Sequence, residues 1–145
     1  KATISDYDNA VRELEYYIEK NKDKGFFNFE DNAKMHVHSG TIARYRQQQT
    51  REIFTIETHI VRFGDVAFST NPFELFLDYG NRIKARSYAE QTFIVQLCCG
   101  ASGYLPTEKA EKAGHYSGYV SSGNVGHEGG DLLVRETIKE INQMF

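Results

Sequence analysis

The residues best suited to chemistry in this sequence are one carboxylate, three tyrosines and a scatter of histidines and cysteines. Glu74 stands in Asn71-Pro72-Phe73-Glu74. A carboxylate at a strand-to-helix junction can serve as a base or a metal ligand. Asn-x-x-Glu is also a capping box, in which Glu74 reaches back to the Asn71 amide, and the local pattern favours that cap. Tyr104 ends the small-residue loop Gly100-Ala101-Ser102-Gly103. There the backbone can approach a ligand and leave a phenol uncovered, and packing on the core is the competing reading. Tyr116 and Tyr119 lie in a later glycine-rich stretch and pose the same choice.

His36-x-His38 has the spacing that puts two imidazoles on one face of a strand, but two histidines without a third ligand are weak evidence for metal. His59 falls on the polar side of a two-residue pattern and reads as solvated. His127-Glu128 precedes the last helix, where it can bind an anion or cap the helix; the cap is favoured. Gly100-Ala101-Ser102-Gly103 resembles a nucleophile elbow, yet G-x-S-x-G needs glycine where Tyr104 stands. Cys99 with His115 or His127 would form a thiol–imidazole pair, although nothing local positions them. Cys98 and Cys99 are the only cysteines. As neighbours they rarely meet disulfide geometry, and two thiols alone cannot make a zinc site. No glycine loop is followed by the Gly-Lys-Ser/Thr of a P-loop.

These residues need elements to hold them. Ser5 with Asp8 resembles a capping box, and Tyr7, Val11, Leu14 and Ile18 follow at helical spacing up to Gly25. A second helix is placed near residues 32–49, with a break at Gly40. From Glu52 the period becomes two: Phe54, Ile56 and Ile60 alternate with Thr55, Glu57 and His59, which predicts a half-buried strand. Gly64-Asp65 predicts a hairpin to a return strand at Val66. Asn71 and Pro72 predict the start of a helix that buries Phe73, Phe76, Leu77, Gly80 and Ile83, with Gly80 close to another backbone. Thr92 to Leu97 reads as a strand, and Thr107 to Ala113 as a short helix closed by Gly114. A long glycine loop follows, then a final helix burying Val134, Ile138, Ile141 and Phe145. The pattern predicts an α+β fold, a mixed or antiparallel sheet with a β-hairpin, flanked by helices.

At 145 residues with 40% hydrophobic content the chain can bury a core, and with no repeat or linker it reads as a single domain over 1–145. A net charge of −3 argues against nucleic acid as partner. Arg44, Arg46 and Arg51 read as solvated surface because Glu52, Glu57 and Asp65 follow. No apolar run is long enough to span a bilayer, and no secretory leader opens the chain. Lys1 in first place, rather than Met, suggests a processed or cut end with sequence missing upstream.

The second half of the chain resembles the neutral/alkaline (non-lysosomal) ceramidase family. The resemblance rests on five stretches in the family's order: Arg62 to Phe68, Asn71 to Phe76, Gly80 with Ile83-Lys84, Gly103 to Thr107, and Gly114-His115-Tyr116. It runs from about Ile53 to Phe145, and the first fifty residues match loosely. Three positions depart from the family: Phe73 and His115 replace glycines, and Cys99 stands where asparagine is usual.

The resemblance implies a zinc-dependent amidase that splits the N-acyl bond of ceramide or a related N-acyl amide. Glu74 and Tyr104 match two zinc ligands, Tyr104 and Tyr116 match catalytic tyrosines, and Tyr116 helps hold the substrate amide. Metal-activated water would attack the amide carbonyl. The family's zinc-binding histidines have no counterpart here, so the chain reads as the C-terminal part of a larger catalytic domain. The remainder of that domain would be its partner, and a secreted or periplasmic location is implied. Zinc is expected in the intact protein, and not to be bound tightly by Glu74 and Tyr104 alone. The alternative is a ceramidase-like domain without catalysis, one that binds a ligand or supports a partner.

Overall fold

The computed structural model describes residues 1–51 and 53–145. Glu52, where the two-residue period begins, lies outside the described residues. The chain divides into two compact units. One comprises Lys1–Ile53 with Tyr119–Ser122, the other Phe54–Gly118 with Gly123–Phe145.

The first unit is built on α1 (Ile4–Asn21) and α2 (Phe29–Thr50). α1 starts at a capping box, but one built from Thr3 and Asp6 rather than Ser5 and Asp8. The Asp6 amide donates to Thr3 Oγ1 at 3.1 Å, and the Thr3 amide donates to the Asp6 carboxylate at 2.7 Å. The buried face is displaced accordingly: Ala10, Tyr17 and Asn21 are buried, while Ile18 is exposed. α2 is capped by Asn28 and runs through Gly40 without the expected break. A Cβ on Gly40 would lie 2.7 Å from the Ser121 Cβ, so this glycine admits a close neighbour to an unbroken helix. Between the helices, the buried Asp31 carboxylate accepts from Lys20 (2.8 Å), Asn21 (3.1 Å) and Asn28 (3.1 Å). The Lys20 ammonium, first among these partners, holds the Asp31 carboxyl below its ordinary range.

In the second unit β1 (Ile60–Phe63), β2 (Val66–Thr70) and β4 (Gln91–Val95) form one sheet, and β3 (Glu74–Leu75) pairs with β5 (Tyr104–Leu105). Helices α3 (Leu77–Lys84), α4 (Glu108–Ala113) and α5 (His127–Asn142) complete it. β1 and β2 form the expected antiparallel hairpin, turned at Gly64 with φ 61°, whereas β2–β4 and β3–β5 are parallel. The fold is α+β with a mixed sheet, as the pattern predicts. Ala67, Phe73, Tyr79, Ile83, Leu105, Val134 and Ile141 make its core.

Two local expectations fail for identifiable reasons. Strand pairing begins at Ile60, not near Phe54; the last rung is the Thr70 amide donating to the His59 carbonyl at 2.9 Å. Alternation marks extended chain, and a ladder also needs a partner strand. Asn71 does not cap a helix. Its Oδ1 accepts from the Phe73 amide at 3.1 Å, and the Glu74 amide then donates to the Gly103 carbonyl at 3.0 Å. Pairing with the Gly103–Leu105 backbone therefore takes residues that local propensity offered to a helix, and α3 starts only at Leu77.

Candidate functional site

Parallel pairing of β3 with β5 sets Glu74 directly opposite Tyr104. Around this short ladder the Ser102 amide donates to the Pro72 carbonyl at 2.8 Å, and the Leu75 amide to Gln96 Oε1 at 2.9 Å. Gly103, with φ 71°, turns the loop into β5 and bridges to Gly123. A Cβ on Gly123 would overlap the Tyr104 carbonyl oxygen, so that approach requires glycine. α4, capped by Thr107 and closed by Gly114 in the left-handed conformation, delivers the next turn, Tyr116–Gly118.

These elements bring Glu74, Tyr104 and Tyr116 together. The Tyr104 and Tyr116 hydroxyls lie 3.1 Å apart, with rings edge-on at 5.5 Å between centroids. The Glu74 carboxylate, opposite on the ladder, also acts on the Tyr104 hydroxyl. The hydrogen bond with Tyr116 first, and the nearby Glu74 carboxylate second, hold the Tyr104 phenol well above its ordinary pKa. It is thus a neutral donor at physiological pH. The three side chains line an open pocket of about 280 Å³ with Leu75, Gln96 and Leu97. Phe73 does not crowd it: its side chain is turned into the core and is 2% exposed. The comparisons with protein-family models, with curated proteins and with solved structures found no match for this chain.

Zinc takes four protein ligands in structural sites and typically three plus water in catalytic ones. Glu74 supplies one carboxylate, and Tyr104, kept protonated, is a poor ligand. Among the described residues no group of three histidine, cysteine or acidic ligands forms around Glu74. The residues present therefore do not fit a zinc ion by themselves.

The remaining candidates disperse. His36 and His38 lie on α2, not on a strand, and a two-residue step in a helix points them about 200° apart. His38 stacks on Tyr17 at 6.1 Å. Tyr119 belongs to the first unit. Ser102 is buried, so it offers no open nucleophile. His127 pairs with a partner that the sequence reading missed. Glu111 of α4 accepts from the His127 amide at 2.8 Å and meets Nδ1 at 2.6 Å, capping α5 from outside. Cys99 instead groups with Glu57 and His59, their ligand atoms within 4.8 Å of one another. A second cavity, of about 250 Å³, was also missed and is lined by Phe54, Ile56, Ile60, Phe73, Leu133 and Thr137. Its signal was present in the inward members of the alternating stretch.

Proposed function

We propose that this chain forms part of a ceramidase-like, zinc-dependent amide hydrolase acting on the N-acyl bond of ceramide or a related N-acyl amide. Glu74 and Tyr104 contribute half of the metal site, and the other ligands come from the remainder of the catalytic domain, outside these residues. The observation that carries this reading is convergence. Three residues that the family resemblance singles out, scattered from position 74 to 116, line one open pocket, with the Tyr104 and Tyr116 hydroxyls 3.1 Å apart and Glu74 paired opposite Tyr104. A phenol beside the metal half-site suits an amide: Tyr116, 3.1 Å from the Tyr104 hydroxyl, can donate to a carbonyl oxygen as it gains charge.

The incomplete donor set supports one alternative, a ceramidase-like domain that binds ligand without turnover. The test is hydrolysis of a fluorogenic N-acyl amide and of ceramide by protein carrying its native upstream sequence. Glu74→Gln should abolish turnover, and Tyr116→Phe should lower kcat by about 100-fold, the usual loss of one oxyanion donor. Turnover unchanged in both variants would remove the hydrolase reading. Substrate binding without turnover in the unmutated protein would leave the alternative.

A further inference from the structure

A second group of ligating atoms lies apart from the Glu74 pocket. Glu57 and His59 sit two residues apart in extended chain entering β1, so their side chains leave on the same side. His59 is anchored to the end of β2: its amide donates to Thr70 Oγ1 at 2.8 Å and its carbonyl accepts from the Thr70 amide at 2.9 Å. Its Nε2 meets Glu57 Oε1 at 2.8 Å. Facing this pair is Cys99, on the loop after β4. That loop is tied down by the Cys98 amide donating to the Asn71 carbonyl at 2.9 Å, and Cys99 itself has φ 60°. The ligand atoms of Glu57, His59 and Cys99 all lie within 4.8 Å of one another.

The geometry points to a binding site for a thiophilic divalent cation of the zinc class at Glu57, His59 and Cys99, with water completing the coordination. Thiolate, imidazole and carboxylate together are the donor set that zinc takes and that magnesium and calcium do not. Bond lengths of roughly 2.0–2.3 Å put neighbouring tetrahedral ligand atoms about 3.3–3.8 Å apart. The Cys98 and Cys99 sulfurs are 3.8 Å apart, too long for a disulfide, so the Cys99 thiol is available to ligate. Glu57, His59 and Cys99 are exposed, so rotation about their χ angles closes the remaining gap without disturbing the core. One thiolate and one carboxylate neutralise a doubly charged cation beside a neutral imidazole. Cys99 releases its thiol proton to solvent as the cation binds. This site is separate from the half-site at Glu74, and the expectation that Glu74 and Tyr104 hold no zinc alone is unaffected.

The test is titration of the full, reduced chain with cobalt followed by zinc. Cobalt should produce a thiolate charge-transfer band that one equivalent of zinc abolishes, and calorimetry should give a micromolar or tighter zinc Kd. Cys99→Ser and His59→Ala should each weaken zinc by about 100-fold or more, the upper end of what even outer-shell losses cost. Glu74→Gln should leave the affinity unchanged. Circular dichroism identifies any variant that fails to fold, and the other variant then carries the test. No thiolate band in the reduced, folded chain overturns the proposal. So does zinc binding that survives both variants or disappears with Glu74→Gln.

Discussion

His127 illustrates how one side chain can join two elements and give them a pH dependence. Both Glu111 oxygens are engaged by this residue, one with its amide and one with its ring. The Glu111 hydrogen bond, ahead of opposing desolvation, raises the His127 pKa above its ordinary value. A raised histidine pKa means that the folded state holds the proton more tightly than the unfolded chain. The resulting stability is present in full below an unfolded pKa of about 6.5 and is lost as pH rises through the higher folded value. His127→Gln should therefore cost about 1 kcal/mol near pH 5.5, as expected for a partly solvated charge-assisted bond, and less at pH 8.5. Urea midpoints of both proteins at the two pH values measure this; a gap that widens with pH contradicts it. His127 was legible as a candidate but its pairing was not, because Glu111 and His127 belong to different helices and no local pattern links them. Glu74 and Tyr104 were legible as candidates from their motifs and their places near strand ends. Asn71-x-x-Glu74 misled because asparagine can start an Asx turn as readily as it caps a helix.

Among the elements, two helical glycines separate opposite uses of one residue type. Gly80 is buried on α3, and the sequence pattern suggested close approach to another backbone. A Cβ there would meet only Ile94 Cγ1, at 3.8 Å, an ordinary contact. Gly130 on α5 differs: a Cβ would overlap the ring of Tyr79, which is 1% exposed and donates to the Pro106 carbonyl at 2.8 Å. Gly80→Ala should stabilise by about 0.5–1 kcal/mol through helix propensity and lost unfolded-state freedom. Gly130→Ala should destabilise by about 1–3 kcal/mol, since a buried, hydrogen-bonded ring has to move. Chemical denaturation resolves the two signs, and a stabilising Gly130→Ala would deny the contact. The hairpin, α4 and α5 were legible because Gly64, Thr107 with Gly114, and the Val134–Ile141 spacing are local signals. β3 and β5 were not. Each has two residues, and their pairing joins positions about thirty apart in the sequence.

For the molecule as a whole, the two units differ in how much each buries within itself. The second unit closes on Phe73, Tyr79, Ile83, Leu105, Val134 and Ile141. In the first, the buried apolar residues are Ala2, Ala10 and Tyr17, and the helix pair is joined by the polar cluster at Asp31 and by partly exposed ring contacts such as Tyr7 on Tyr45. Each fully buried large apolar side chain contributes about 1.5–3 kcal/mol, against roughly 1–2 kcal/mol of backbone entropy per ordered residue. Two long helices with so small a buried set sit near the lower limit of local stability. Periodicity did not reveal this, since a helical stripe looks alike whether its neighbour covers it fully or in part. Amide exchange should therefore be graded, with β2, β4 and α5 the slowest and α1 and α2 faster by at least tenfold, about 1.4 kcal/mol in opening free energy. Acidification should steepen the difference. The Asp31 carboxyl is held below its ordinary pKa, so its contribution is present above about pH 3.9 and is lost as pH falls through the lower folded value. Hydrogen exchange read by mass spectrometry at neutral and acidic pH, after correction for intrinsic rates, tests both statements. Equal protection of α2 and α5 at neutral pH would mean that the molecule opens as one cooperative body.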